Sequence, residues 1–136
     1  MINTKFAHVC INTIDLNKSI NFYENILGFT KKFFFKKKDK YIGVYLEICS
    51  GNYIEIFLKE DNKVINTGIT HFCIEVNNID ELIEKLKQNK INFSDKTLGA
   101  DQSYQIWLTD PDGNKIEIHQ YTQNSSQLTG KDVEIN

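Results

Sequence analysis

The sequence predicts an α+β fold: two repeated βαβββ modules forming a curved mixed sheet with helices outside. Three observations predict it. The motif Gly-Asn-x-Ile-Glu-Ile occurs twice, as Gly51-Asn52-Tyr53-Ile54-Glu55-Ile56 and as Gly113-Asn114-Lys115-Ile116-Glu117-Ile118. His8-Val9-Cys10-Ile11 is matched by His71-Phe72-Cys73-Ile74. Between each histidine and its glutamate the same order of patterns recurs, first period-two alternation, then one helical stripe, then further strand-like runs.

The elements follow in order. Lys5 to Thr13 alternates, with Phe6, His8, Cys10 and Asn12 on one face. Asp15 or Asn17 caps a helix that runs to about Leu27, because Leu16, Ile20, Tyr23 and Leu27 form one stripe. Gly28 ends it. Thr30 to Lys38 is a lysine-rich strand, Tyr41 to Cys49 the next, and Ser50-Gly51-Asn52 turns tightly into Tyr53 to Leu58. Glu60 to Gly68 is a polar linker. In the second module Thr70 to Val76 is a strand. Asn78 and Glu81 form a capping-box arrangement for a helix with the stripe Ile79, Leu82, Ile83 and Leu86, ending near Asn89. Ile91 to Asp95 reads as a short strand and Lys96 to Ser103 as a loop. Tyr104 to Thr109 then pairs with Lys115 to Tyr121 through the turn Asp110-Pro111-Asp112-Gly113, where proline presets the bend and glycine accepts a positive backbone angle. The modules, about 5–59 and 69–121, make one domain over residues 1–121. Residues 122–136 are polar and aperiodic and read as a partly disordered surface tail.

Composition narrows the function classes. The chain has 136 residues, 40% of them hydrophobic and 12% aromatic, which is enough for a core. A net charge of −2 gives no general pull towards nucleic acid or anionic membrane. No stretch approaches the roughly 20 apolar residues of a membrane span, and the first residues carry no apolar run of the signal-peptide kind. The 3 cysteines, Cys10, Cys49 and Cys73, cannot all pair within one chain, so free thiols in a reducing cytoplasm are expected.

The chemistry lies in the repeat. A glutamate centred between two isoleucines in a short strand is unusual, and here it occurs at equivalent places, with a histidine heading each module. His8, Glu55, His71 and Glu117 therefore form a candidate metal-ligand set, with imidazole and carboxylate donors suited to zinc, nickel, cobalt, manganese or iron. The plainer alternative is two ordinary strand histidines and two solvated glutamates. Cys10 and Cys73 share faces with the histidines, as soft ligands or as small fillers. His119 shares a face with Glu117. It is either a partner behind the ligand, a substrate contact, or a satisfied histidine. Lys31, Lys32 and Lys36 to Lys38 around Phe33-Phe34-Phe35 read as a lysine-protected edge strand in preference to a nucleic-acid surface.

At these residues the chain resembles the vicinal oxygen chelate superfamily, the glyoxalase I, bleomycin-resistance and dioxygenase group. The likeness rests on His8, Asn21-Phe22-Tyr23, Leu27-Gly28-Phe29, Tyr53-Ile54-Glu55, Thr70-His71-Phe72, and Asp110 to Asn114 followed by Ile116-Glu117. The resemblance implies a glyoxalase-like fold. It also implies a divalent metal, nickel, zinc or cobalt, held by His8, Glu55, His71 and Glu117, since glyoxalase I-like members use His, Glu, His, Glu while fosfomycin thiol transferases use three ligands. The implied reaction is that of a lactoylglutathione lyase: proton transfer through an enediolate on the thiol adduct of a 2-oxoaldehyde such as methylglyoxal, with Glu55 or Glu117 as catalytic base. Asn12 and Lys59 stand where bacterial glyoxalases I carry arginine and asparagine, which leaves the thiol open. The alternatives are another activity of the superfamily, epimerase or thiol transferase, or a binding protein without turnover. The resemblance further implies a small-molecule substrate and a cytoplasmic homodimer whose metal sites take residues from both chains.

Overall fold

A computed structural model describes residues 3, 6–59, 69–133 and 135. The chain divides into two compact units, Met1–Ile65 and Asn66–Asn136. Each has the expected βαβββ order. The linker read over residues 60–68, like the start of the first strand at Lys5, lies outside the described residues. Among the described residues no helix is long and apolar enough to cross a membrane.

In the first unit β1 (His8–Thr13), β2 (Thr30–Lys37), β3 (Lys40–Cys49) and β4 (Asn52–Leu58) form one mixed sheet in the order β1-β4-β3-β2. β1 runs parallel to β4 and the other pairs are antiparallel. The parallel pair needs a crossover, and the helical segment after β1 supplies it. Asp15 caps α1 (Leu16–Asn21) by accepting a bond from the Lys18 amide at 3.0 Å. One face of the sheet is core: Val44, Leu46, Ile54 and Ile56 are all fully buried. The other face carries Tyr45, Tyr53, Glu55 and Phe57, all half-buried.

The first helix differs from expectation. α1 gives way at Phe22 to a π-helical turn, Phe22–Ile26, with the Leu27 amide bonded to the Phe22 carbonyl at 3.2 Å. The wider turn admits an extra residue and rotates the stripe. Phe22, Tyr23 and Ile26 are buried, whereas Ile20 and Leu27, expected in the stripe, are only half-buried. The lysine-rich β2 is an edge strand with two register irregularities, as a protected edge should be.

The second unit repeats the topology. β5 (Phe72–Glu75), β6 (Thr97–Leu98), β7 (Tyr104–Thr109) and β8 (Lys115–Gln120) are ordered β5-β8-β7-β6, again with one parallel pair, β5 with β8. α2 (Ile79–Gln88) is capped by Asn78, which accepts from the Glu81 amide at 3.1 Å. Ile79, Ile83 and Leu86 of α2 and Ile106, Leu108, Ile116 and Ile118 of the sheet are buried. The Asp110 turn forms as read. The Asp110 carboxylate accepts from the Asp112 and Asn114 amides, each at 2.9 Å, and Gly113 sits at φ 84°.

The first strand starts at His8, with Phe6 and Ala7 outside it, and three readings in the second unit also move. β5 starts at Phe72 rather than Thr70, because its partner β8 begins just after the turn and the ladder ends at Phe72 opposite Ile116. The strand expected over Ile91–Asp95 is reduced to one bridge, Phe93 to Leu108. The Ser94 hydroxyl, not a carbonyl, accepts from the Trp107 amide at 2.8 Å and interrupts the ladder. The strand pairing there is instead β6, inside the expected loop. Finally, the segment read as an aperiodic tail contains a single helical turn, α3 (Ser126–Thr129). Its Ser126 amide bonds to the Asp101 carbonyl at 2.9 Å.

Candidate metal centre

In the first unit His8 and Glu55 meet on the face opposite the core. His8 Nε2 lies 4.0 Å from Glu55 Oε2. The parallel register sets Cys10 beside Glu55, and the antiparallel register sets Tyr45 on its other side. The Tyr45 hydroxyl is 3.2 Å from His8 Nδ1, with the rings edge to face. A hydroxyl there can accept from Nδ1–H, the tautomer that leaves the Nε2 lone pair free towards the carboxylate.

The second unit builds the same arrangement from matched positions. His71 Nε2 lies 3.3 Å from Glu117 Oε2. Cys73 and Trp107 flank Glu117 in the register, as Cys10 and Tyr45 flank Glu55. The Thr70 hydroxyl takes His71 Nδ1 at 2.9 Å, and Trp107 packs edge to face on the imidazole. All four expected ligands thus fall into two histidine–glutamate pairs, one per unit. The donor chemistry suits a divalent cation: half-buried carboxylates, and imidazoles whose second nitrogen is already held.

The pairs are not identical. Glu117 Oε1 accepts a bond from His119 Nε2 at 2.8 Å. His119 is buried, at 8% exposure, and its Nδ1 lies 4.0 Å from Asp101 Oδ2. The residue two beyond Glu55 is Phe57, which offers no such bond. Burial raises the Asp101 carboxyl, but bonds from the Gln127 side chain and from Ser103, with the His119 charge, outweigh it and hold Asp101 below its ordinary range. Cys73, Glu117 and His119 also bring ligand atoms within 4.8 Å of one another, a set that shares Glu117 and so belongs to the same centre. The two cysteines beside the glutamates are pushed towards the neutral thiol. Burial, then the Glu55 hydrogen bond and charge, pushes Cys10 up to about 11. Burial, then the Glu117 and Asp101 charges, pushes Cys73 to about 12.

From sequence alone no site role falls to Tyr45, Trp107, Thr70, Asp101 or Gln127. Tyr45 and Trp107 were recoverable, since each sits opposite its glutamate in a duplicated register. Asp101 lies in a loop with no periodicity, and nothing local marks it.

A protein of Bacillus subtilis named "Probable trivalent organoarsenical cleaving enzyme" is 30% identical over 94% of this chain and 87% of its own length. The "Metallothiol transferase FosB" of Staphylococcus epidermidis is 29% identical over 85% of this chain and 81% of its own. The crystal structure of a glyoxalase family protein from Enterococcus faecalis superposes with a TM-score of 0.75 at 25% identity, covering 88% of this chain and 99% of that one. Residues 5–118 match the family model that spans both βαβββ units and both histidine–glutamate pairs, and the chain therefore belongs to the Glyoxalase/Bleomycin resistance protein/Dioxygenase superfamily.

Proposed function

We propose that this chain is a metal-dependent enzyme acting on a small molecule, and that its reaction is thiol transfer to an electrophilic carbon. The observation that carries the metal reading is the repeated pair, in which each imidazole has Nδ1 held by a hydroxyl and Nε2 turned to a half-buried carboxylate. The relatives named metallothiol transferases support thiol transfer over the glyoxalase I reaction that the four-residue set implies.

His8, His71 and Glu117 would hold the metal, with Glu55 as a fourth donor that can leave. A divalent ion held by them would supply Lewis acidity to a substrate oxygen. Glu117 is the anchored carboxylate, since both of its oxygens face an imidazole. Glu55 lacks the second imidazole and is the better proton carrier. In the transfer the thiol sulfur bonds to carbon as a carbon–oxygen bond breaks. The thiol proton passes through Glu55 to the released oxygen. Tyr45, Tyr53 and Phe57 on the same sheet face would shield this proton path from water. A second reading, cleavage of a trivalent organoarsenical, is favoured by the Bacillus subtilis relative over 94% of the chain.

The test is a turnover panel. Protein purified without chelator is analysed for metal. It is then assayed with low-molecular-weight thiols against fosfomycin, the methylglyoxal hemithioacetal and a trivalent organoarsenical. Thiol consumed with fosfomycin, and only with metal present, is the expected result. Turnover confined to the hemithioacetal would replace thiol transfer with isomerisation, and turnover confined to the arsenical would establish the second reading.

A further inference from the structure

We infer that His119, Asp101 and Gln127 form a positioning chain through which the C-terminal segment fixes the Glu117 carboxylate. The inference rests on the reading of Glu117 as a metal ligand and extends it to residues outside the ligand set.

The links are all within the second unit. Glu117, when ionised, only accepts, so His119 Nε2 carries the hydrogen in their 2.8 Å bond. His119 Nδ1 faces Asp101 Oδ2 at 4.0 Å, an electrostatic approach longer than a hydrogen bond. Asp101 is held from behind: Gln127 Nε2 donates to its Oδ2 at 2.6 Å, and the Ser103 amide to its Oδ1 at 3.1 Å. The backbone carrying Asp101 is tied to the same segment. The Thr122 and Ser125 hydroxyls donate to the Gln102 carbonyl at 2.7 and 3.0 Å, and buried Ser103 donates to buried Ser125 at 3.0 Å. These bonds hold Gln102 in the left-handed region, φ 66°, which a non-glycine residue keeps only when its surroundings impose it. The loop of residues 99–103 is therefore shaped by residues 122–127, and Asp101 is what it presents to His119.

The first unit serves as the internal control. Phe57 stands where His119 stands, so duplication alone does not generate the chain. One glutamate of the repeat is braced and the other is not. A ligand braced from behind keeps its orientation when the metal and substrate come and go.

The test uses the full chain. Cobalt binding is measured by titration and by its visible spectrum for the parent, His119→Leu, His119→Gln, Asp101→Asn and Gln127→Ala. Outer-shell partners of metal ligands are worth about ten- to a hundredfold in affinity, so His119→Leu should lose that much. His119→Gln, whose amide can still donate to Glu117, should recover most of the loss. Gln127 is exposed, so Gln127→Ala leaves the core intact and should weaken cobalt binding while altering the cobalt spectrum. A second readout needs no metal. In imidazole ¹H–¹⁵N spectra of the metal-free protein, Gln127→Ala and Asp101→Asn should shift the His119 ring resonances and leave those of His8 in place. Unchanged His119 resonances in both variants, or parental cobalt affinity in His119→Leu, overturns the chain. A parent that takes up no metal removes the metal reading instead, and the metal-free spectra then decide the chain without it.

Discussion

Glu55 and Glu117 look alike in sequence and differ in what holds them. Glu117 has an imidazole at each oxygen, bonded to His119 at 2.8 Å and 3.3 Å from His71, whereas Glu55 faces His8 at 4.0 Å. Two substitutions separate their roles. Glu117→Gln should lower both metal affinity and turnover. Glu55→Gln should keep most of the metal yet lose about two to four orders of magnitude in kcat, the range that proton transfer by a positioned side chain contributes. Metal content and kcat measured together check this, and full turnover in Glu55→Gln would exclude it as the proton carrier. The cysteines give a second prediction. The Cys10 and Cys73 thiols are raised from an ordinary 9.0, so at pH 8 alkylation of the metal-free protein, mapped residue by residue to separate these two from Cys49, should be slow at Cys10 and Cys73 and rise only as pH approaches 11–12. A folded-state value above the unfolded one means the folded protein holds the proton more tightly. Their contribution to stability is thus complete below about pH 9 and is lost as pH climbs towards 11–12. Thiolate-like alkylation rates at pH 8 would contradict it. At this scale the two histidine–glutamate pairs were legible because the duplication printed the pattern twice. The residues behind Glu117 were not, since Asp101 approaches His119 from a loop and Gln127 bonds Asp101 from a polar segment, neither with a periodic signal.

Elements were legible where one pattern governs them. β7 lies at Tyr104–Thr109 as its alternation and the Asp110 turn require, and Asn78 caps α2 as its spacing requires. Asn78→Ala should therefore cost about 1 kcal/mol, read from urea unfolding, the usual loss for a helix cap. Boundaries set by tertiary contacts were not legible. Phe22, Tyr23 and Ile26 are buried while Ile20 and Leu27 of the expected stripe are only half-buried, because the π-helical turn rotates the face turned to the core. Ser94 replaces a carbonyl in the ladder, a substitution that composition does not announce. Close strand packing makes a further demand at Gly43 of β3. A Cβ there would lie 2.8 Å from the Phe57 ring and 2.9 Å from the Ile56 carbonyl oxygen. The ring can shift and the backbone oxygen cannot without moving β4. Gly43→Ala should cost about 1–3 kcal/mol, as overpacking does. Because Phe57 and Glu55 share β4 and its outer face, the same substitution should also reduce turnover.

At the scale of the whole molecule, duplication has given each unit one histidine–glutamate pair, half of the proposed ligand set. The proposed centre needs both halves, and they come from one chain or from two. The outer sheet face of the first unit argues for association. Phe33, Tyr45 and Tyr53 stack there in sequence, with ring centroids 4.7 and 4.9 Å apart, and Phe33 is 48% exposed. An aromatic surface of that kind is ordinarily covered by a partner or a ligand, and two-fold pairing is the commonest way for identical chains to cover one. The expected assembly is a homodimer in which His8 and Glu55 of one protomer work with His71 and Glu117 of its partner. Mixing decides it. His8→Ala and Glu117→Ala chains, each inactive alone, are combined, unfolded and refolded together. In a mixed dimer with shared sites, one site collects both lesions and the other is intact, so about half of that dimer's sites should turn over. Sedimentation gives the dimer fraction and the assay gives the recovered activity. A dimer that forms but recovers nothing would show that each chain completes its own ligand set.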